Sequence, residues 1–156
     1  MPDIPLEQRD LVAAAVIYRG EPSGLEILSA RRTEPAHLRG GWELPGGRHE
    51  DTDESWEAAA KREVLEELGC VVEVVEMLPG PHSDKTWPLT DDKRMAVYLC
   101  YVTEGDPYIL DQHDAIAWIR LEAATTAVPW LSVDIPIVEA AIERISALGA
   151  PSRIGK

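Results

Sequence analysis

The sequence predicts an α/β (α+β) domain, a β-sheet with helices packed against it. Two observations carry this. Strand-like apolar runs and helix-like amphipathic runs mix along one short chain, and a sheet carrying helices is the economical way to bury both. The chain has 156 residues, the size of one domain, so residues 1–156 are expected to form a single unit with its core over about 11–148. At that length a compact fold buries roughly 70% of its unfolded surface and needs no disulfide or oligomer to hold it. Apolar residues at 45% and charged residues at 28% match globular averages and exclude wholesale disorder.

Each element has its own signal. Runs 11–18 (LVAAAVIY) and 25–31 (LEILSAR) read as strands around a Gly/Pro/Ser turn at 20–24, hence a hairpin. A polar connection with Pro35 and Gly40-Gly41 leads to Trp42-Glu43-Leu44-Pro45-Gly46-Gly47, where Pro45 ends pairing and the glycines free the backbone. Ser55 suits an N-cap, residues 56–68 are strong helix formers, and Gly69 stands where a left-handed C-cap belongs. Residues 70–77, 95–103 and 115–121 read as further strands, with 78–92 as a proline-containing loop. Ser132 or Asp134 could cap a last helix reaching about 148, with Ile135, Val138, Ile142 and Ile145 at helical spacing.

Charge narrows the function. Against 28 Asp+Glu stand 15 Lys+Arg, a net of -13, which disfavours a nucleic-acid backbone or an anionic membrane as partner. A small phosphorylated ligand remains open if metal ions carry the positive charge. Cys70 and Cys100 form no disulfide framework, which points to a reduced, cytoplasmic protein. The apolar run 11–18 is too short to span a bilayer, and acids precede it where a secretion signal carries bases. A monomer or a homodimer fits equally well.

The chemistry concentrates in the helix 56–68. At about 100° per residue, Val64, Leu65 and Leu68 share one arc while Glu63, Glu66 and Glu67 share another. Residues 50–76 hold ten acids against two bases, a local net of -8. A solvated acidic face, with Arg62 pairing Glu66, explains this as well as a cation site does. Lining a cleft, such carboxylates would either raise a pKa or bind Mg²⁺ or Mn²⁺, the hard cations that gather phosphate oxygens.

From Glu54 onward the chain matches E-x7-R-E-U-x-E-E-x-G-U (U aliphatic) at Glu54, Arg62-Glu63, Val64, Glu66-Glu67 and Gly69, with Cys70 as a small apolar stand-in at the last position. This resembles the Nudix box. One departure is a six-residue spacing between Gly47 and Glu54, where the family pattern has five; Asp53 is the alternative occupant of the Glu54 role. The resemblance implies an α/β/α sandwich with a mixed central sheet and a divalent-metal-dependent hydrolase of nucleoside diphosphate linkages. It implies that Glu63, Glu66, Glu67 and a carbonyl of Gly46 or Gly47 hold Mg²⁺ or Mn²⁺, that Glu54 orients a ligand or water, and that Arg62 braces the glutamates.

Gly41-Trp42-Glu43-Leu44-Pro45-Gly46-Gly47, His113 five residues before Trp118, and Asp134-Ile135-Pro136 are similar to the nucleoside-triphosphate pyrophosphohydrolases, the branch of CTP and 8-oxo-dGTP diphosphatases. That branch implies release of a nucleoside monophosphate and pyrophosphate from a small nucleotide. It also implies substrate contacts from Arg31 and Asp134. A carboxylate at Asp134 would accept from the amino group of cytosine, predicting cytosine over oxidised guanine; the alternative is that Asp134 only caps the last helix. Where relatives carry an acidic fourth ligand stands Gln112, with Asp111 or Asp114 as substitutes. Trp42, Trp87 and Trp130 are candidates for base stacking, although core packing is the commoner fate of any one of them. The alternatives in function are a Nudix hydrolase of ADP-ribose or another nucleoside diphosphate derivative, and a non-catalytic nucleotide-binding module.

Overall fold

The computed structural model describes residues 4–110 and 113–151. Its strands are β1 (Asp10–Arg19), β2 (Glu26–Arg32), β3 (Trp42–Glu43), β4 (Gly46–Arg48), β5 (Val71–Leu78), β6 (Trp87–Thr90), β7 (Lys93–Glu104) and β8 (His113–Arg120). The α-helices are α1 (Trp56–Leu68), α2 (Ala124–Ala127) and α3 (Ile135–Leu148).

β1 is central because its near-continuous apolar run suits a strand covered on both faces. It pairs parallel with β7 from Asp10↔Lys93 to Ile17↔Cys100. Its other edge is shared: β4 takes Val12, Ala13 and Ala14, while β2 takes Tyr18 and Arg19. β2 in turn carries β3 and β8, and β7 carries β5 and β6. One parallel pair among antiparallel ones makes the sheet mixed.

Alternate side chains of β1 feed two cores. Ala13, Ala15 and Ile17 pack with Ala59, Ala60, Val64 and Leu68 of α1. Ala14, Val16 and Tyr18 pack with Ile137, Val138, Ala141 and Ile145 of α3. Helices therefore cover both faces, and the expected α/β/α sandwich is the observed one. Among the described residues no helix is long and apolar enough to cross a membrane.

α1 begins and ends where its signals lie. The Ser55 side chain accepts from the Ala58 N–H, and Gly69 closes the helix at φ 67°. Its orientation departs from the expected one. Leu65, read as a core residue, is 50% exposed, whereas Glu67 is only 8% exposed. The buried face is rotated toward the acids, centred near Ala60 and Glu67, because the two alanines let the helix lie close against β1.

Two further expectations change. The segment 78–92 is not all loop, since β6 adds to the edge of β7 with Trp87 opposite Met95. Pro88 is tolerated there because an edge strand need not donate on its outer side. Asp134 precedes α3 but makes no side-chain capping bond, so the capping reading is corrected. Trp87 and Trp130 are core residues whose indole N–H groups donate to the carbonyls of Leu78 and Ala124, at 3.0 and 2.6 Å. They are not free to stack on a base.

Gly46 is required by contact. A Cβ there would lie 2.5 Å from the Ala13 carbonyl oxygen and 2.7 Å from Ala14 Cα, backbone atoms that cannot swing aside. Gly46→Ala is expected to lower unfolding free energy by about 2 kcal/mol or more. Gly24→Ala, where a Cβ meets nothing within 4 Å, should shift it by less than about 0.5 kcal/mol. Urea denaturation of both variants checks the difference.

Candidate active site

A cleft of about 690 Å³ opens where the sheet divides between β4 and β2. Val12, Ala14 and Met95 line it from β1 and β7, and Leu89 and Thr90 from β6. Leu131, Ser132, Val133 and Asp134 contribute from the segment leading into α3. Glu63, Glu66 and Glu67 enter from α1, Gly46 and Gly47 from β4, and Arg32, Glu43 and Leu44 complete it.

The acidic edge is organised by one guanidinium. Arg62 donates from Nε and Nη2 to Asp53 at 2.8 and 3.0 Å, and from Nη2 to the Arg48 carbonyl at 3.0 Å. Its Nη1 donates to Glu63 at 2.9 Å and to both oxygens of Glu66 at 3.1 and 3.2 Å. These bonds tie Asp53, Glu63 and Glu66 to a single side chain. Asp53, bonded by Arg62 and by the Glu50 N–H, is held down at about 2. Burial raises Glu63 above the ordinary carboxylate range, opposed by the bonds from Arg62.

Glu67 lies deepest. Burial, reinforced by the charges of Glu43 and Glu63, pushes its carboxyl up to about 8, and its Oε2 has no hydrogen-bond partner. Gly47 lies directly against Glu63, since a Cβ on it would lie 2.3 Å from a carboxylate oxygen. Hard oxygen donors, one of them buried and unpartnered, fit a divalent cation. Among the described residues no three such side chains already stand close enough to chelate one.

Asp134 lies in the same cleft, 4% exposed. Burial and the Glu43 charge push it up to about 8, against a hydrogen bond donated by the Leu44 N–H. Between Asp134 and the acidic edge, Arg32 Nη1 donates to both oxygens of Glu43 at 3.0 and 3.1 Å, and His113 Nε2 meets Glu43 Oε2 at 2.9 Å.

The structure thus brings together Gly47, Arg62, Glu63, Glu66, Glu67 and Asp134. It leaves two expected residues outside. Glu54 is exposed and lines no part of the cleft, because Asp53 occupies the inward position on Arg62. Arg31 pairs with Asp114 at 2.7 Å and lies 5.7 Å from the Trp42 ring. Its neighbour Arg32 lines the cleft instead, successive strand residues pointing to opposite faces. Asp114, engaged with Arg31, does not line the cleft either, and Asp111 and Gln112 lie outside the described residues. Arg32 and Glu43 were not singled out from the sequence, although Glu43 sits inside the noted Trp-Glu-Leu-Pro-Gly-Gly segment.

The family model described as NUDIX domain matches residues 8–140. The chain belongs to the NUDIX family. A Mycobacterium tuberculosis protein named "Putative 8-oxo-dGTP diphosphatase 2" is 33% identical over 124 residues, covering 80% of this chain and 82% of its own length. The solution structure of the Escherichia coli ORF135 protein superimposes with a TM-score of 0.69 at 30% identity, over 92% of this chain and 97% of that one. A MutT NUDIX hydrolase from Burkholderia pseudomallei gives 0.68 at 25% identity, over 88% and 98%. This Nudix hydrolase is of the MutT-like branch and acts on pyrophosphate bonds.

The raised Asp134 has a consequence for stability. Its folded value of about 8 exceeds the ordinary 3.8, so the folded state binds the extra proton between those values and stability falls as pH rises across that window. In the metal-free Nudix protein, urea midpoints are expected to decline from about pH 4 to pH 8. Asp134→Asn should reduce that slope, leaving the part due to Glu67, which is raised to about 8 as well; an unchanged slope would mean that Asp134 titrates normally.

Proposed function

We propose that this Nudix hydrolase cleaves a nucleoside triphosphate to a nucleoside monophosphate and pyrophosphate, with Mg²⁺ or Mn²⁺ as cofactor. The observation that carries this is the span of one cleft, with the α1 carboxylates at one end and a buried Asp134 at the other. Its 690 Å³ lies within the roughly 300–1,000 Å³ of small-molecule sites. Glu63, Glu66, Glu67 and the Gly47 carbonyl would hold the cation. When bound, the metal neutralises phosphate oxygens and lowers the pKa of a water nucleophile.

The chain's own residues do the rest. Arg32 faces the anionic substrate, with Arg48 and Lys93 also on the cleft wall. Arg62 fixes the spacing of Glu63 and Glu66 and touches no substrate. Glu54 takes no part in this reading, because the carboxylates in the cleft supply the donors. Arg31, held by Asp114, likewise lends no contact.

Asp134 meets the base. With its carboxyl pushed to about 8, it is mainly protonated near neutral pH and offers a donor beside an acceptor. The charge-based preference for cytosine therefore loses its footing, and an oxidised purine is accommodated equally. The name of the Mycobacterium tuberculosis relative favours 8-oxo-dGTP.

A panel of CTP, dCTP, 8-oxo-dGTP, the ordinary triphosphates and ADP-ribose with Mg²⁺ tests this, the products being separated by chromatography. Monophosphate and pyrophosphate are expected from a triphosphate. Glu66→Gln should lower turnover by about 100-fold or more, and Asp134→Asn should change the ratio of CTP to 8-oxo-dGTP turnover. Turnover of ADP-ribose alone would overturn the triphosphate reading, and nucleotide binding without turnover would support a non-catalytic module.

A further inference from the structure

We propose that His113 is a positioning residue for phosphate binding, acting through Glu43 on the cleft-lining Arg32. The proposal deepens the reading of this cleft as a nucleotide site. Three adjacent strands build the chain: Arg32 ends β2, Glu43 lies on β3, and His113 opens β8. β3 and β8 pair with opposite edges of β2, since Ala30 is opposite both Glu43 and Ile116. The β2–β8 register shifts between Arg31 and Arg32, so that Arg32 comes opposite His113. The extra residue is Asp114 of β8, which bonds the outward Arg31, and the bulge sets His113 beside the inward Arg32.

The contacts run in one direction. The His113 side chain is 1% exposed and its Nε2 lies 2.9 Å from Glu43 Oε2. A carboxylate only accepts, so Nε2 carries the hydrogen and donates. The other ring nitrogen, Nδ1, is buried without a partner. A histidine serving the core alone would gain by satisfying both nitrogens or by giving way to an apolar residue. One nitrogen is spent on Glu43 and the other is left unmet.

Glu43 accepts from Arg32 through both oxygens, and Arg32 Nε donates to the Glu34 carbonyl at 2.8 Å. Arg32 is thereby fixed at two of its three nitrogens. Among the described residues no hydrogen bond commits its Nη2, which is left for an anion. Without the His113 donor, Glu43 is free to turn, and Arg32 loses the partner that sets its plane.

Calorimetric binding of inorganic tripolyphosphate in the presence of Ca²⁺ reads this without turnover. His113→Leu is expected to weaken binding about tenfold. His113→Gln, whose Nε2 reaches the imidazole Nε2 position, should stay within about threefold of wild type. His113→Asn places its N–H nearer the Nδ1 position, misses Glu43, and should resemble the leucine variant; it replaces that variant if leucine prevents folding. In an Arg32→Met background the leucine or asparagine change should have no further effect. Equal weakening in both backgrounds, or wild-type affinity in His113→Asn, would overturn the proposal. No triphosphate turnover in the substrate panel, with this coupling intact, would defeat the substrate reading and leave the positioning chain in place.

Discussion

Everything at this site follows from placing carboxylates of α1 against the two glycines that open β4. β4 comes within contact of β1 only because Gly46 has no side chain, and Glu63 reaches β4 only because Gly47 has none. The helix is held there from beneath by Ala59, Ala60, Val64 and Leu68. That docking carries Glu67 into the interior with Oε2 unpartnered. Apolar packing thus sustains a local electrostatic cost, the arrangement expected of a site that takes up a cation.

Arg62 makes the arrangement tolerable in the absence of that cation. Four acceptor groups converge on it, from Asp53, Glu63, Glu66 and the Arg48 carbonyl, with the Glu50 carboxylate 3.9 Å away. A planar guanidinium can satisfy several acceptors in fixed directions, which an ammonium cannot. Its hold on Asp53 also explains why the extra loop residue leaves Glu54 in solvent. The loop accommodates the insertion by presenting the earlier acid to the guanidinium. At the other end of the cleft Arg32 plays a parallel part, bonded to Glu43 and lowering the raised values of Glu67 and Asp134.

Much of this was legible in the sequence because it is local. Ser55 and Gly69 mark the ends of α1 through backbone chemistry within a few residues, and the spacing of Arg62, Glu63, Glu66 and Glu67 fixes their shared edge. What was not legible depends on docking. Periodicity grouped Leu65 with Val64 and Leu68, but the close seat allowed by two alanines rotated the helix and exposed it. Arg31 and Arg32 are indistinguishable in sequence, and the alternation of side chains along β2 decided between them. Asp134 looked like a cap because it precedes α3. Its carboxyl instead meets the Leu44 N–H, a contact 90 residues away in sequence.

The proposed function has the buried acidic edge hold a divalent cation at the expense of metal-free stability. Mn²⁺ binding by electron paramagnetic resonance, paired with thermal melts of the metal-free protein at pH 9, tests it in wild type and Glu67→Gln. At pH 9 the wild-type Glu67 is ionised, its value being about 8, so the neutral glutamine should raise the melting temperature while abolishing tight Mn²⁺ binding. Undiminished Mn²⁺ binding in Glu67→Gln, or a lower melting temperature, would contradict the account.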